Sequence, residues 1–262
     1  MSTFAMHVAK TGLNSQQIKM QVIANNLANV NTTGFKADRA NFESLLYQIL
    51  RGAGDNTSEN TSLTSGLAVG TGTRLLNTSK LHTQGSLINT GNSLDISIEG
   101  DGFFQVLLPD GRVGYTRSGA FSRNAEGMVV TASGYPLQPE ITIPPEALSI
   151  NVASDGIVTV QVPGAVDAEE VGQITLADFP NRQGLQLNGE SMLMESPASG
   201  APIIAAPFEE GMGRTVQGSL ESSNVNVVQE LVDMIETQRA YEVSSKTITS
   251  VDEMMRYLAQ NV

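Results

Sequence analysis

The sequence predicts an α+β fold: a long helix at each end, with an antiparallel β body between them. Three observations predict it. Residues 6–30 place apolar side chains three and four apart. Residues 227–258 do the same. From about residue 67 to 215 the period changes to short alternating runs separated by glycine-containing turns. The first pattern belongs to helices, the second to strands.

In the N-terminal segment the line Met6, Ala9, Leu13, Gln16, Met20, Ile23, Leu27 and Val30 forms an a/d seam with one polar member. Between Thr11 and Gly34 the only charged side chain is Lys19, and the remaining polar positions are mostly amides, including Asn14, Gln17, Gln21, Asn25, Asn26 and Asn29. A helix with one wet face normally carries Glu and Lys there. Charge is depleted where protein meets protein, so packing on more than one side is expected, with hydrogen bonds from the asparagines to neighbouring subunits. Asn31-Thr32-Thr33-Gly34 ends the helix, with Gly34 as its left-handed residue.

Phe42, Leu45, Leu46, Ile49 and Leu50 predict a resumed helix between Phe35 and Arg51. Gly52 to Gly72 reads as loop, being rich in Gly, Ser, Thr and Asn. In the middle, strands are expected at 95–98, 102–108, 113–116, 128–131, 157–162 and 171–179, and the proline-rich stretch 136–145 as an extended edge. Asp110, Glu126 and Asp155 stand beside turn glycines, where acids bond the local backbone. Arg117 and Arg123 read as surface charge.

The C-terminal helix opens at Asn226 as N-cap. Its seam runs through Val227, Leu231, Met234, Gln238, Tyr241, Ser245 and Ile248, then slips by one residue to Val251, Met255 and Leu258. Glu230, Asp233, Glu236, Arg239, Glu242, Lys246 and Glu253 are expected on its watered side. Three parts result: residues 1–34 with 224–262 as a paired-helix assembly domain resembling a coiled coil, 35–72 as a linker or extended segment, and 73–223 as the β domain.

Composition narrows the function. The net charge is −12, from 15 Lys and Arg against 27 Asp and Glu, with no basic cluster. Nucleic acid is therefore excluded as a partner. The chain has no cysteine, so thiolate catalysis and cysteine metal sites are excluded. No apolar run approaches the roughly 18 residues of a membrane span, so no direct membrane insertion is expected. No signal-peptide core is present, which implies either that the chain stays inside or that it leaves by another route. There is no phosphate loop, nucleophile elbow or zinc motif, and His7 and His82 lack carboxylates at ligand spacing. No catalytic, cofactor or metal residue is expected. An oligomerising binding module is the other class open to such a chain; it would stop at a closed trimer where a polymer would not.

Ala24-Asn25-Asn26-Leu27-Ala28-Asn29-Val30-Asn31-Thr32-Thr33-Gly34-Phe35-Lys36 resembles the N-terminal signature of the bacterial flagellar rod and hook proteins. Gln238-Arg239-Ala240-Tyr241-Glu242, with Ser245-Lys246, resembles their C-terminal signature. Gly100 to Val106 and Tyr115 to Phe121 resemble their β-domain motifs. Leu45-Leu46-Tyr47-Gln48, the following Gly/Ser/Thr-rich stretch and Gly70-Thr71-Gly72 resemble the segment particular to the distal-rod branch of that family. The opening Met1 to His7 departs from it, being less apolar.

The resemblance implies a non-catalytic subunit of a rigid helical tube between motor and hook, running from the periplasm to the outer membrane. The implied partners are other copies of the chain, the proximal rod proteins, the hook protein, the P-ring and L-ring proteins, and the flagellar type III export apparatus. Self-assembly would run through Leu13, Met20, Ile23, Asn25, Asn26, Leu27, Asn29, Val30, Leu231, Met234, Gln238, Arg239, Tyr241, Ile248 and Met255. The rod-specific segment would include Leu46, Tyr47, Gln48, Gly52, Gly54 and Gly66.

Overall fold

The computed structural model describes residues 2–52, 56–58, 61–62, 64–164 and 168–260. Gly54 lies outside them. The chain divides into two compact units: residues 1–28, 38–79 and 226–262 form the first, and 29–37 with 80–225 the second. The sequence reading set 35–72 apart as a linker, whereas its residues from Asp38 onward belong with the helices.

The first unit holds helix α1, Ser2–Ala28, and helix α2, Val227–Gln260. They pack on each other. Asn26 bonds Glu230 near one end, and Gly12 lies opposite Ser244 further along, so the helices run antiparallel. Asn226 caps α2: its side-chain oxygen accepts from the Val228 and Gln229 amides at 3.1 and 3.3 Å, leaving two fewer unsatisfied donors at the helix start. α1 stops at Ala28, earlier than expected, and the chain turns through Asn29–Gly34 with Gly34 at φ 68°. Thr32 donates to the Asn29 side chain there at 3.1 Å.

The resumed helix is replaced by strands, Asp38–Ser44 and Tyr47–Arg51. The first lies beside strand Thr73–Lys80; the second pairs antiparallel with Leu67–Gly70, within the stretch read as loop. Phe42, Ile49 and Leu50 drew the helical reading by their spacing, but β-branched and aromatic residues with long-range partners settle on strands.

The second unit is antiparallel β. Its main sheet runs Gln186–Gly189, Met192–Met194, Val113–Thr116, Phe103–Leu107, Leu176–Asp178, Ile203–Ala205, with Leu137–Gln138 also on Phe103–Leu107. Three strands, Ser149–Val152, Ile157–Gln161 and Glu169–Gln173, make a second sheet. The stretch read as one strand over 171–179 is thus broken in two. Phe104, Val106, Leu137, Ile141, Ile143, Val160 and Leu176 are sealed in one core, so the proline-rich stretch supplies core residues and is no mere edge. Phe103, Tyr115, Phe179 and Leu193 form a second core, with Tyr115 and Phe179 edge to face at 4.7 Å. The turn acids act locally: Asp110 accepts from the Arg112 amide at 3.0 Å and Asp155 from Ile157 at 3.1 Å.

Arg117 is not surface charge. Its side chain is 5% exposed and lies over the Phe103 ring, donating to Glu221 and to the Gly100 carbonyl. Lys36, 4% exposed, meets the same Glu221, which is wholly buried, at 2.6 Å. Burial pushes both cations below their ordinary pKa, and Glu221 opposes this in each case.

Candidate assembly surface

The first unit exposes much of its apolar surface, and α2 shows how. Its inward line is Glu230, Met234, Thr237, Ser244, Ile248, Val251 and Met255, with Tyr241, 38% exposed, at its margin. These positions hold one heptad phase throughout, without the expected slip. The inward line includes small polar residues that an apolar-only count passes over. Thr237, 1% exposed, bonds its own helix at the Asp233 carbonyl, 2.6 Å away, and so needs no partner on α1. Ser244 faces Gly12, a small-on-small contact that lets the helices approach.

With that phase, Leu231, Gln238, Arg239 and Ser245 turn outward, while Met234, Ile248 and Met255 stay partly covered. Glu230, expected in water, is turned toward α1. Desolvation raises its pKa, against the opposing effect of the Asn26 hydrogen bond. The outward side carries its own apolar stripe: Val228, Val232, Ile235 and Val243 are 72, 45, 54 and 64% exposed, with Leu231 beside them and Met254 and Tyr257 further along. α2 is therefore apolar on two opposite sides, of which α1 covers one. Exposed apolar stripes of this extent mark interaction surfaces.

On α1, Ile23 is buried, Leu13, Met20 and Leu27 are partly covered, and Lys10, Asn14, Gln17, Gln21 and Asn25 face outward. That outward line holds amides and one lysine, and no acid. Asn26 does not face outward. It is 2% exposed and bonds within the chain: its Nδ2 donates to the Asp38 carbonyl at 2.9 Å and to Glu230 Oε1 at 3.0 Å, and its Oδ1 accepts from the Asp38 amide at 2.8 Å. Asn25 donates to the Asp38 carboxylate at 3.2 Å. Asn25 and Asn26, two of the asparagines expected to bond between subunits, thus anchor the returning strand to the helix pair. Val30 lies beyond the helix and packs with Phe35, Ala37 and Val225.

The ribbon of Tyr47–Arg51 and Leu67–Gly70 has no residue of its first strand covered, and Leu46, Tyr47 and Ile49 are 89, 62 and 70% exposed. Gln48 is exposed too, as is Gly66, and Gly52 is half-buried. The ribbon's foot rests on α1. Thr71 donates to the Leu46 carbonyl at 2.6 Å, the Leu45 amide to Gly72 at 2.9 Å, and Ser15 bonds Thr73 at 3.0 Å. A side chain at Gly72, φ 117°, would run into the Thr11 hydroxyl. A bare two-stranded ribbon is marginal in water, and these apolar residues are left exposed in the single chain.

No group of histidine and acidic residues able to hold a metal occurs among the described residues. Lys36, Arg117 and Glu221 form a buried cluster that sequence reading missed. The available signal was that two of them sit inside the quoted motifs, among residues with little other charge.

Comparison with known proteins gives this geometry its context. Residues 6–36 match the profile described as flagella basal body rod protein, 97–160 that of the flagellar hook protein FlgE/F/G D1 domain, and 216–261 that of the flagellar basal body rod FlgEFG protein C-terminal. The chain is 50% identical over 256 residues to the flagellar basal-body rod protein FlgG of Buchnera aphidicola subsp. Schizaphis graminum, covering 98% of each. It is also 50% identical over 256 residues, again 98% of each, to the FlgG of Buchnera aphidicola subsp. Acyrthosiphon pisum. To the FlgG of Agrobacterium fabrum it is 43% identical over 259 residues, 98% of this chain and 99% of the relative. Matched end to end, and carrying two helices with more apolar surface than they cover for each other, the chain belongs to the flagellar basal-body rod protein family, whose members are structural and not enzymes.

Proposed function

We propose that the chain is a subunit of the distal rod, which polymerises into a rigid helical tube that carries torque from the motor to the hook and encloses part of the export channel. The α2 stripe of Val228, Val232, Ile235 and Val243, exposed in the single chain, carries this reading. In the polymer it meets the terminal helices of neighbouring copies, in coiled-coil fashion, and the amide line of α1 packs where a watered helix would carry acids. The ribbon at 45–72 fills space between subunits. Contacts that repeat without closing give a filament. The tube would run from the periplasm to the outer membrane, with proximal rod proteins below, the hook above, and the P-ring and L-ring proteins around it. Passage through the type III apparatus as an unfolded chain suits a sequence without cysteine.

Ile235→Glu tests the reading. Burying an isoleucine at a contact contributes about 1.5–3 kcal/mol, and a carboxylate there adds a desolvation cost. The critical concentration for polymerisation, read by sedimentation and electron microscopy, should rise at least about tenfold while the circular dichroism of the β body stays unchanged. Equal polymerisation of the variant, or a wild type that stops at a closed trimer, refutes it.

A further inference from the structure

The last residues of the β body meet its first. Strand Arg214–Gln217 pairs with Ile96–Glu99, and Ser219–Glu221 with Leu87–Asn89. Ile96 and Ile98 are 2 and 1% exposed in the main core, and among the described residues their strand has no other partner strand. Glu221 binds three further segments. Its carbonyl accepts from the Gly34 amide at 2.8 Å. Its carboxylate accepts from Lys36 at 2.6 Å, the Gly85 amide at 2.8 Å and Arg117 at 3.4 Å. Three residues on, Asn224 accepts from the Ala37 amide at 2.7 Å and donates to the Leu81 and Thr83 carbonyls at 2.7 and 3.1 Å. Val225 then packs on Phe35 and Ala37.

The one carboxylate that Lys36 and Arg117 both bond directly is therefore supplied late, although Asp101 lies near enough to favour both charges. Lys36 has the Thr83 carbonyl and Arg117 the Gly100 carbonyl from earlier in the chain, but their shared counter-charge lies 185 and 104 residues further on. A buried cation without its anion opposes closure of the site around it. The edge of Ile96–Glu99 that takes Arg214–Gln217 also stays open until residue 214 arrives, while the Ile96 amide has the Gly119 carbonyl and the Ile98 carbonyl has the Gln84 side chain from earlier in the chain.

We propose that Lys36, Arg117 and Glu221 form a completion lock: the β body remains open while the chain emerges from its N-terminus, and closes only when residues 214–225 have joined it. The lock makes folding a single late event, so a partly emerged chain cannot settle into a compact β body. It acts within the β body alone and holds whatever the polymer does.

Ribosome-stalled nascent chains test it, with arrest points placing residue 213, residue 225 or the whole chain outside the tunnel. A brief protease pulse should cleave within 80–213 at the first arrest point and spare that region at the other two. In chains released at full length, Glu221→Gln keeps the shape and removes the charge. It should raise the fraction open to protease by about 100-fold. A resistant 80–213 fragment at the first arrest point overturns the late closure. Glu221→Gln chains as resistant as wild type overturn the ionic part of the lock. Because the arrest series uses the unaltered sequence, it decides the question even if the variant does not fold.

Discussion

Asn26 offers the most direct test of how the terminal helices are held to the rest of their unit. Asn26→Leu keeps the volume nearly constant and removes three hydrogen bonds at once, two with Asp38 backbone groups and one with the Glu230 carboxylate. The two neutral bonds contribute about 1 kcal/mol each and the bond to a charged acceptor about 1.5–3 kcal/mol. Burying a leucine at a site only 2% exposed returns about 1.5–2 kcal/mol. The balance is a loss of about 1.5–3.5 kcal/mol. At roughly 2–4 °C per kcal/mol for chains of this size, the helical signal at 222 nm should melt about 5–10 °C lower. Hydrogen exchange at the Asp38 amide should rise with it. A shift under about 2 °C would mean that the bonds carry no net weight and that the reasoning is wrong.

Asn26→Asp separates geometry from charge. It keeps the acceptor for the Asp38 amide and sets a second carboxylate against Glu230. Burial already raises the Glu230 pKa and the Asn26 bond holds it down, so the substitution raises it further. A carboxyl whose folded pKa lies above its unfolded value contributes stability at low pH that is lost as pH rises. The variant should therefore fall furthest below wild type at neutral pH and recover part of the difference on acidification. A deficit independent of pH would refute the carboxylate contact.

Three other outcomes are expected. Gly72→Ala drives a Cβ into the Thr11 hydroxyl at φ 117°, at a cost of about 1–3 kcal/mol. Exchange protection should fall in Tyr47–Arg51 before the helices, and Thr11→Ala added to it should restore part of that protection; melting of the β body together with the ribbon would contradict this. His82 packs edge to face on Phe103 at 5.8 Å, and burial, with Lys36, Arg182 and Arg117 nearby, lowers its pKa to about 4. The unfolded chain then binds the proton first as pH falls, so stability is lost from about 6.5 down through about 4, by roughly 2–3 kcal/mol after solvent screening. Comparing thermal melts of His82→Gln and wild type across that range isolates the effect, and parallel curves would refute it. Deleting Gly52–Gly66 should leave polymerisation intact and lower the bending stiffness of the tube, measured from filament curvature in micrographs; unchanged stiffness would refute the space-filling role.

Where one physical cause decided the structure, the sequence was legible. Turn chemistry placed Asp110-Gly111 and Asp155-Gly156, alternation placed Ile96 and Ile98 on a buried strand, and the N-cap at Asn226 stands where a single side-chain oxygen can serve two amides. The errors share another cause. Residues 38–51 carry apolar side chains at both helical and strand spacings, and a partner strand more than 15 residues away decides between them. Thr237 and Ser244 were passed over because burial of a hydroxyl depends on what it bonds, which composition does not reveal. Arg117 read as surface charge because its counter-ion is 104 residues distant.

The phase of α2 is ambiguous for a related cause. A helix with one apolar side has one solution; α2 has apolar residues on two opposite sides, and the seam traced by size alone drifts between them. Leu231 lies toward the outer side and Met234 on the inner, yet they stand at a/d spacing. The expected slip at Val251 was the point where a line begun on the outer side returned to the inner one. In a monomeric protein that ambiguity would be a defect of design, since a second apolar stripe invites aggregation. In the polymer proposed for this chain it is the residue pattern that two successive packing events require: α1 takes the line through Met234, Ile248 and Met255, and Val228, Val232, Ile235 and Val243 would remain for a neighbour. The misplaced phase and the proposed polymer contact thus have one origin.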